Sequence, residues 1–205
     1  MCRLLETIRM ENRQVENLVA HQFRMDQSCL HFFGQPSGIK LQDLVDESIQ
    51  NPNQSNLNNG IFKMRVVYSQ QLEEVTFMPY TLPEIQSLKL VIDDEIDYAH
   101  KFADRQKLEQ LMLKKEACDD IVIIKNGLFT DTSYANLAFF DGIHWFTPDQ
   151  PLLKGTRRSL LLLQKKILPT QIRLAHLRFF TKARLFNAMI RWEDRLDVSI
   201  DKIWV

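Results

Sequence analysis

Lys125-Asn126-Gly127-Leu128-Phe129-Thr130-Asp131-Thr132-Ser133-Tyr134-Ala135-Asn136 is the stretch on which the reading of this chain turns. Immediately before it, residues 121–124 form a short continuous apolar run, the mark of a buried strand, and Asn126-Gly127 is a turn pair. Immediately after it, residues 137–140 and 144–146 read as a hairpin about Asp141-Gly142. Farther on, Leu152-Leu153-Lys154-Gly155-Thr156-Arg157-Arg158 leads into a helix expected over 156–166. Gly155 permits close backbone approach, and the opening of a helix offers unpaired N–H groups with a favourable dipole. Gly-Thr before a helix is equally a common N-terminal cap, so it gains weight only from its company.

Outward from this region the pattern is mixed. Residues 4–10 are β-compatible. Leu18, Gln22, Met25, Cys29 and Phe32 recur at four- and three-residue steps and predict an amphipathic helix over 16–33, and the same logic gives a second helix over 41–49. Residues 51–60 (NPNQSNLNNG) are rich in turn formers and read as a loop. Residues 61–69 and 72–78 follow as two strands of a hairpin, with a third strand over 84–92. Asp93-Asp94-Glu95 breaks the apolar pattern, which places a domain junction there and divides the chain into 1–93 and 94–205. Beyond the junction a helix is expected over 104–116, with late strands over 185–189 and 198–203. Strands and helices in two unequal halves make an α+β protein.

Composition narrows the function classes. The chain has 205 residues, with 26 basic and 26 acidic side chains, enough for one large domain or two smaller ones. From residue 151 to the end there are 12 basic and 4 acidic residues, a local charge of +8. That excess suits an anionic small molecule or nucleic acid, or simply a solvated face. Few aromatics are interleaved with these cations, and the Leu160–Leu163 run reads as core, so no nucleic-acid partner is expected. Cys2, Cys29 and Cys118 have neither metal-ligand spacing nor an even count, which argues against a metal and for a reducing compartment. No apolar stretch is long enough to span a bilayer, so no membrane partner is expected and the location expected is cytoplasmic.

The Lys125–Asn136 stretch, Trp145-Phe146-Thr147-Pro148 and Leu152–Arg158 together resemble the signature region of the class IV aminotransferases, pyridoxal-phosphate enzymes of fold type IV. The resemblance runs in the correct order from about Leu4 to the C-terminus. It implies a two-domain, D-amino-acid-aminotransferase-like fold with a shortened N-terminus: relatives begin some twenty-odd residues earlier, which makes this either a shortened branch of the family or a chain whose start was misassigned. It also implies the cofactor. Lys101, in Tyr98-Ala99-His100-Lys101-Phe102, resembles the lysine that carries the cofactor as a Schiff base just after the interdomain linker. Asp131 stands where the family has a glutamate facing the ring nitrogen, in Thr130-Asp131-Thr132-Ser133-Tyr134-Ala135-Asn136, one methylene shorter. Read as a residue alone, Asp131 is equally an Asx-turn former. His21-Gln22-Phe23-Arg24 resembles the His-x-x-Arg whose arginine, here Arg24, grips the phosphate. Gly155, Thr156 and Arg157 resemble the phosphate-cradling turn, with Arg157 and Arg158 both open as the ligand contact. Asn136 and Asn187 complete the cofactor-binding set implied. Glu6-Thr7-Ile8-Arg9 resembles a substrate-lining segment, giving Thr7 and Arg9 as substrate residues, with Tyr80 added.

Within the family the short chain and Thr7 look more like 4-amino-4-deoxychorismate lyase than like an aminotransferase. The implied reaction turns 4-amino-4-deoxychorismate into 4-aminobenzoate and pyruvate, a step of folate biosynthesis. The partners implied are a small anionic amine as substrate and a second copy of the chain, since fold-type IV sites are completed in a homodimer. An aminotransferase for branched-chain or D-amino acids is the near alternative. A non-catalytic binding protein that retains the fold is the distant one.

Overall fold

The computed structural model describes residues 2–51, 57 and 59–204. They separate into two units, Met1–Leu82 with His100–Asp104, and Pro83–Ala99 with Arg105–Val205. The chain thus divides after Leu82, and a five-residue segment returns to the first unit. Asp93, expected near the junction, lies within the second.

The first unit is a four-stranded antiparallel sheet, order β2-β1-β3-β4, carrying two helices. Strand β1 (Leu4–Glu11) pairs along its whole length with β3 (Ile61–Tyr68), from Leu4 opposite Tyr68 to Glu11 opposite Ile61. Strand β2 (Gln14–Val15) and β4 (Leu72–Pro79) flank them. Successive side chains alternate between faces, so Leu4, Ile8 and Met10 share a face with Phe62, Met64, Val66 and Tyr68. Helix α1 (Leu18–Phe33) closes that face with Met25 and Cys29, and α2 (Leu41–Gln50) with Leu41 and Val45. α1 stops at Gly34, whose φ of 75° is left-handed and whose N–H bonds the Leu30 carbonyl; a glycine adopts this conformation without the steric penalty of a Cβ. The 51–60 stretch expected as a loop lies largely outside the described residues. The returning segment pairs alongside β1: Leu5 N–H donates to the Lys101 carbonyl at 2.9 Å, and Ala103 N–H to that of Arg3 at 2.9 Å. Phe102 packs into the same core.

The second unit is built on a nine-stranded mixed sheet. Strand β5 (Leu88–Ile92) lies parallel to β6 (Asp120–Lys125), and β6 runs antiparallel to β7 (Leu128–Thr132). β7 leads into β8 (Asn136–Phe140), β9 (Trp145–Pro148) and then β10 (Leu168–Thr170). β11 (Lys182–Phe186) pairs with both β8 and β12 (Asp197–Ser199), and β13 (Ile203–Trp204) borders β5. Helix α3 (Gln106–Met112) packs Leu108 and Leu111 onto Ile121 and Ile123, while α4 (Thr156–Leu163) sets Leu161 against Ala138 and Phe186.

Several expectations shift. The late strand expected at 185–189 lies at Lys182–Phe186, and 198–203 is interrupted by a 3-10 turn at Ile200–Lys202. The strand expected from 84 starts at Leu88, because Gln86 and Ser87 N–H groups are taken by the Asp119 carboxylate. Leu163, expected in the core, is 81% exposed. α4 has ended there and the chain turns at Lys165 with φ of 55°.

Candidate active site

In the second unit the residues of the opening stretch make one buried cluster. Asp131 lies inside β7, opposite Asn136 of β8 across a tight turn closed by Thr132 N–H to the Ala135 carbonyl at 2.9 Å. That pairing puts the two side chains together. Asn136 Nδ2 donates to Asp131 Oδ1 at 2.8 Å and to the Leu153 carbonyl at 2.9 Å. Leu153 N–H donates to Asp131 Oδ2 at 2.9 Å. Asp131 is 5% exposed, and burial pushes its carboxyl up to about 6, against the pull of Leu153, Asn136 and the Arg158 charge. A carboxylate whose desolvation is only partly offset favours a cation beside it.

Gly155 has an ordinary φ of −64° and is required for a different reason. A Cβ there would overlap Asn136 Oδ1. The close approach that glycine allows is therefore to the side chain that holds Asp131. Thr156, Arg157 and Arg158 are all buried at the start of α4. Arg158 Nη2 donates to the Pro148 carbonyl at 2.7 Å and its charge favours ionised Asp131, whereas the Arg157 charge acts on Glu193. Of the pair left open by the sequence, Arg158 is thus the one whose charge acts on the Asp131 carboxylate. Asn187 is committed elsewhere. Its Nδ2 donates to the Tyr134 carbonyl at 3.1 Å, and its Oδ1 accepts from Met189 and Ile190 N–H at 2.8 and 2.9 Å. It stitches the turn after β11 to the β7–β8 turn, and its polar atoms serve the backbone rather than an open pocket.

In the first unit Arg24 does not stand alone. Its Nε donates to Glu6 Oε1 at 2.8 Å and its Nη2 to Glu6 Oε2 at 2.5 Å, while His21 Nδ1 meets Glu6 Oε2 at 2.6 Å. Glu6 projects from β1 on the same face as Leu4 and Ile8, and is fully buried. Burial alone would raise its pKa, but the Arg24 charge and the bonds from His21 and Arg24 bring it down to about 2. Burial lowers that of His21, and the Arg24 and Lys101 charges add to this against the Glu6 bond. His21 is accordingly neutral, and its proton sits on Nδ1, because an ionised carboxylate only accepts. Lys101 is held by its backbone beside Leu5, and its charge is felt at His21.

The three residues given to substrate divide. Thr7 is half-buried on the face of β1 opposite Glu6, and Tyr80 is half-buried just past β4, its N–H bonded to the Ile61 carbonyl at 2.8 Å. Arg9 is fully buried and ion-paired with Glu11 at 3.1 Å and Glu16 at 3.6 Å. This differs from the expected substrate contact: its charge is met by its own strand and the β2 turn. Sequence reasoning quoted Glu6 and missed its role. The signal was parity, since an acid two residues from Leu4 and two from Ile8 on a strand must face the core.

The profile of the family described as Amino-transferase class IV matches residues 3–192. The chain belongs to the class IV aminotransferase family. A crystal structure from Haemophilus somnus 129pt, of a protein named provisionally as a 4-amino-4-deoxychorismate lyase, is 36% identical with a TM-score of 0.86. It covers 93% of this chain and 98% of its own. A protein of Haemophilus influenzae, described as uncharacterized, is 35% identical over 189 residues, 92% of this chain and 98% of the relative. A hypothetical aminotransferase from Mycobacterium tuberculosis, in its PLP-bound form, shares the fold at 14% identity, with a TM-score of 0.75 over 98% of this chain and 81% of that one. The α+β fold is that of class IV aminotransferases, and this family uses pyridoxal phosphate. Its members' residues fit that group here on the chemistry of the donor set. Asp131 is a buried acceptor that favours a cation, and the opening of α4 is cationic. In the first unit, Arg24 shares its charge with Glu6.

Proposed function

We propose that this chain is a pyridoxal-phosphate-dependent lyase that converts 4-amino-4-deoxychorismate to 4-aminobenzoate and pyruvate. The observation that carries the reaction is the 36% identity to the Haemophilus somnus protein over nearly the full length of both chains. The observation that supports the cofactor is the Asp131 carboxylate, buried and braced by Asn136 and Leu153, with burial raising its pKa to about 6.

When bound, pyridoxal phosphate supplies an electron sink for the pair released at the substrate carbon. Asp131 would face the ring nitrogen and favour its protonated form, since a cation beside a buried carboxylate offsets the cost of its burial. Asn136 and Leu153 keep both Asp131 oxygens oriented. Arg24 and the cationic opening of α4 would each offer positive charge to the phosphate. Lys101 Nζ would be the covalent anchor of the cofactor. With the substrate amine held in its place, the Lys101 amine would be the general base for the C4 proton. Aromatisation of the ring would favour loss of pyruvate, and the same amine would be the group available for release of 4-aminobenzoate.

The test is direct. Purified protein supplemented with cofactor and given 4-amino-4-deoxychorismate should release pyruvate and 4-aminobenzoate in equal amounts, and Lys101→Ala should reduce the rate at least about a thousandfold. Failure to release pyruvate, with amine transfer to a 2-oxo acid instead, would replace the lyase with an aminotransferase. Absence of an absorbance band distinct from that of the free cofactor would remove both.

A further inference from the structure

The second unit contains a pocket of about 190 Å³ that the proposed reaction does not use. Leu128 and Thr130 of β7 line it. Side chains alternate along a strand, so Phe129 and Asp131 project to the other side, and the pocket is backed away from the Asp131 carboxylate. Its floor is apolar: Ile96 and Leu152 belong to the cluster formed with Val91, Leu108 and Ile123. Its polar lining includes Lys125, Asp97, Asn126 and Gln150.

The two charges are the informative part. Lys125 is half-buried, and its Nζ donates to the Ile96 carbonyl at 2.5 Å. An ammonium carries three donors. Among the described residues Lys125 has no carboxylate within ion-pair distance. Asp97 accepts the Ala99 N–H at 3.2 Å through Oδ1 and is likewise in no ion pair among the described residues. A cation and an anion therefore line one small cavity without touching each other. The Ile96 carbonyl accepts from Lys125 Nζ and the Ala99 N–H donates to Asp97 Oδ1, so each charge is held by its own backbone partner.

That arrangement selects by charge. A simple carboxylate would be attracted by Lys125 and repelled by Asp97, and a simple amine the reverse; a molecule bearing both charges a few ångströms apart satisfies each. Size narrows it further. Ligand pockets for drug-sized molecules run from about 300 Å³ upward. At about 190 Å³ the cavity lies below that range, which suits a small occupant. We propose that this pocket binds a small zwitterionic α-amino acid, its carboxylate on Lys125 Nζ, its ammonium on the Asp97 carboxylate, and its side chain on Ile96 and Leu152. The occupant would touch the loop whose next residue, Leu153, donates to Asp131, so by linkage its binding and that of a ligand at Asp131 influence each other.

Calorimetric titration of cofactor-free Lys101→Ala protein, full chain, separates this site from the proposed reaction. The probes are L-alanine, acetate and ethylamine. L-alanine should bind, with acetate and ethylamine at least about tenfold weaker, because each lacks one charged hydrogen bond. Asp97→Asn, at an exposed position, and Lys125→Met should each weaken L-alanine by a similar factor in that same cofactor-free background. Absence of L-alanine binding, acetate binding as tightly as L-alanine, or affinity unchanged in Asp97→Asn would overturn the proposal. None of these outcomes depends on whether the chain is a lyase.

Discussion

Two buried carboxylates, Glu6 and Asp131, sit in opposite electrostatic situations, and the contrast has measurable consequences. Glu6 is lowered to about 2 by the Arg24 charge and the His21 bond. Its contribution to stability is present above the ordinary glutamate range and is lost as pH falls toward 2. Replacing it with glutamine leaves Arg24 cationic and its bidentate partner broken, which we expect to cost about 3 kcal/mol at neutral pH. Thermal melts of Glu6→Gln and wild type from pH 7 to pH 3 should converge as the acid limit is approached; a constant gap would remove the ion-pair explanation. Asp131 runs the other way. Its folded pKa of about 6 lies above the unfolded value, so the stability it lends is full below about pH 4 and is lost as pH rises through 6. Relative to wild type, Asp131→Asn should gain up to about 3 kcal/mol between pH 4 and pH 7, while its retention of pyridoxal phosphate falls. A parallel pH dependence in the two proteins would mean that the carboxyl is not strained by burial.

At the scale of elements, two glycines show how differently one residue type is used. Gly34 ends α1 at φ 75° with open space where a Cβ would stand, so Gly34→Ala costs only the left-handed conformation, about 1 kcal/mol. Gly155 has a conformation any residue adopts, yet its added methyl would displace Asn136 from Asp131. Gly155→Ala is expected to lower stability by about 1–3 kcal/mol and, unlike Gly34→Ala, to weaken cofactor retention; equal retention in the two variants would separate Asn136 from the site. The same contrast marks what the sequence discloses. Helix α1, the β3–β4 hairpin and the β8–β9 hairpin were legible because each buries one face and carries a local turn signal. β7 was not: Leu128–Thr132 has a polar half, and its strand character comes from β6 and Asn136 rather than from its own pattern. The motif positions were legible, but their partners were not. That Arg24 is held by Glu6, or that Asn187 serves Tyr134, depends on residues 18 and 53 positions away along the chain.

For the whole molecule, the +8 charge of residues 151–205 raised the question of a polyanionic partner. Three of its cations are engaged with acids of the same segment, which the net value already counts. Arg184 is bidentate on Asp197 at 2.5 and 2.8 Å and lies over the rings of Trp145 and Trp192, while Lys182 shares Asp197 and Lys166 meets Glu193. Among the described residues no helix is long and apolar enough to cross a membrane. The decisive property is then ligand-linked stability. A ligand that binds only the folded chain stabilises it by about 2.7 kcal/mol at a hundredfold excess over its Kd, and for a chain of this size each kcal/mol raises Tm by about 2–4 °C. Pyridoxal phosphate at that excess should therefore raise wild-type Tm by about 5–10 °C. In Lys101→Ala the covalent anchor is gone while Asp131 and the α4 opening are untouched, so the same concentration should give a smaller but nonzero rise. An equal rise in both proteins would show that Lys101 is not the anchor, and no rise in either would show that these carboxylates and arginines hold something other than this cofactor.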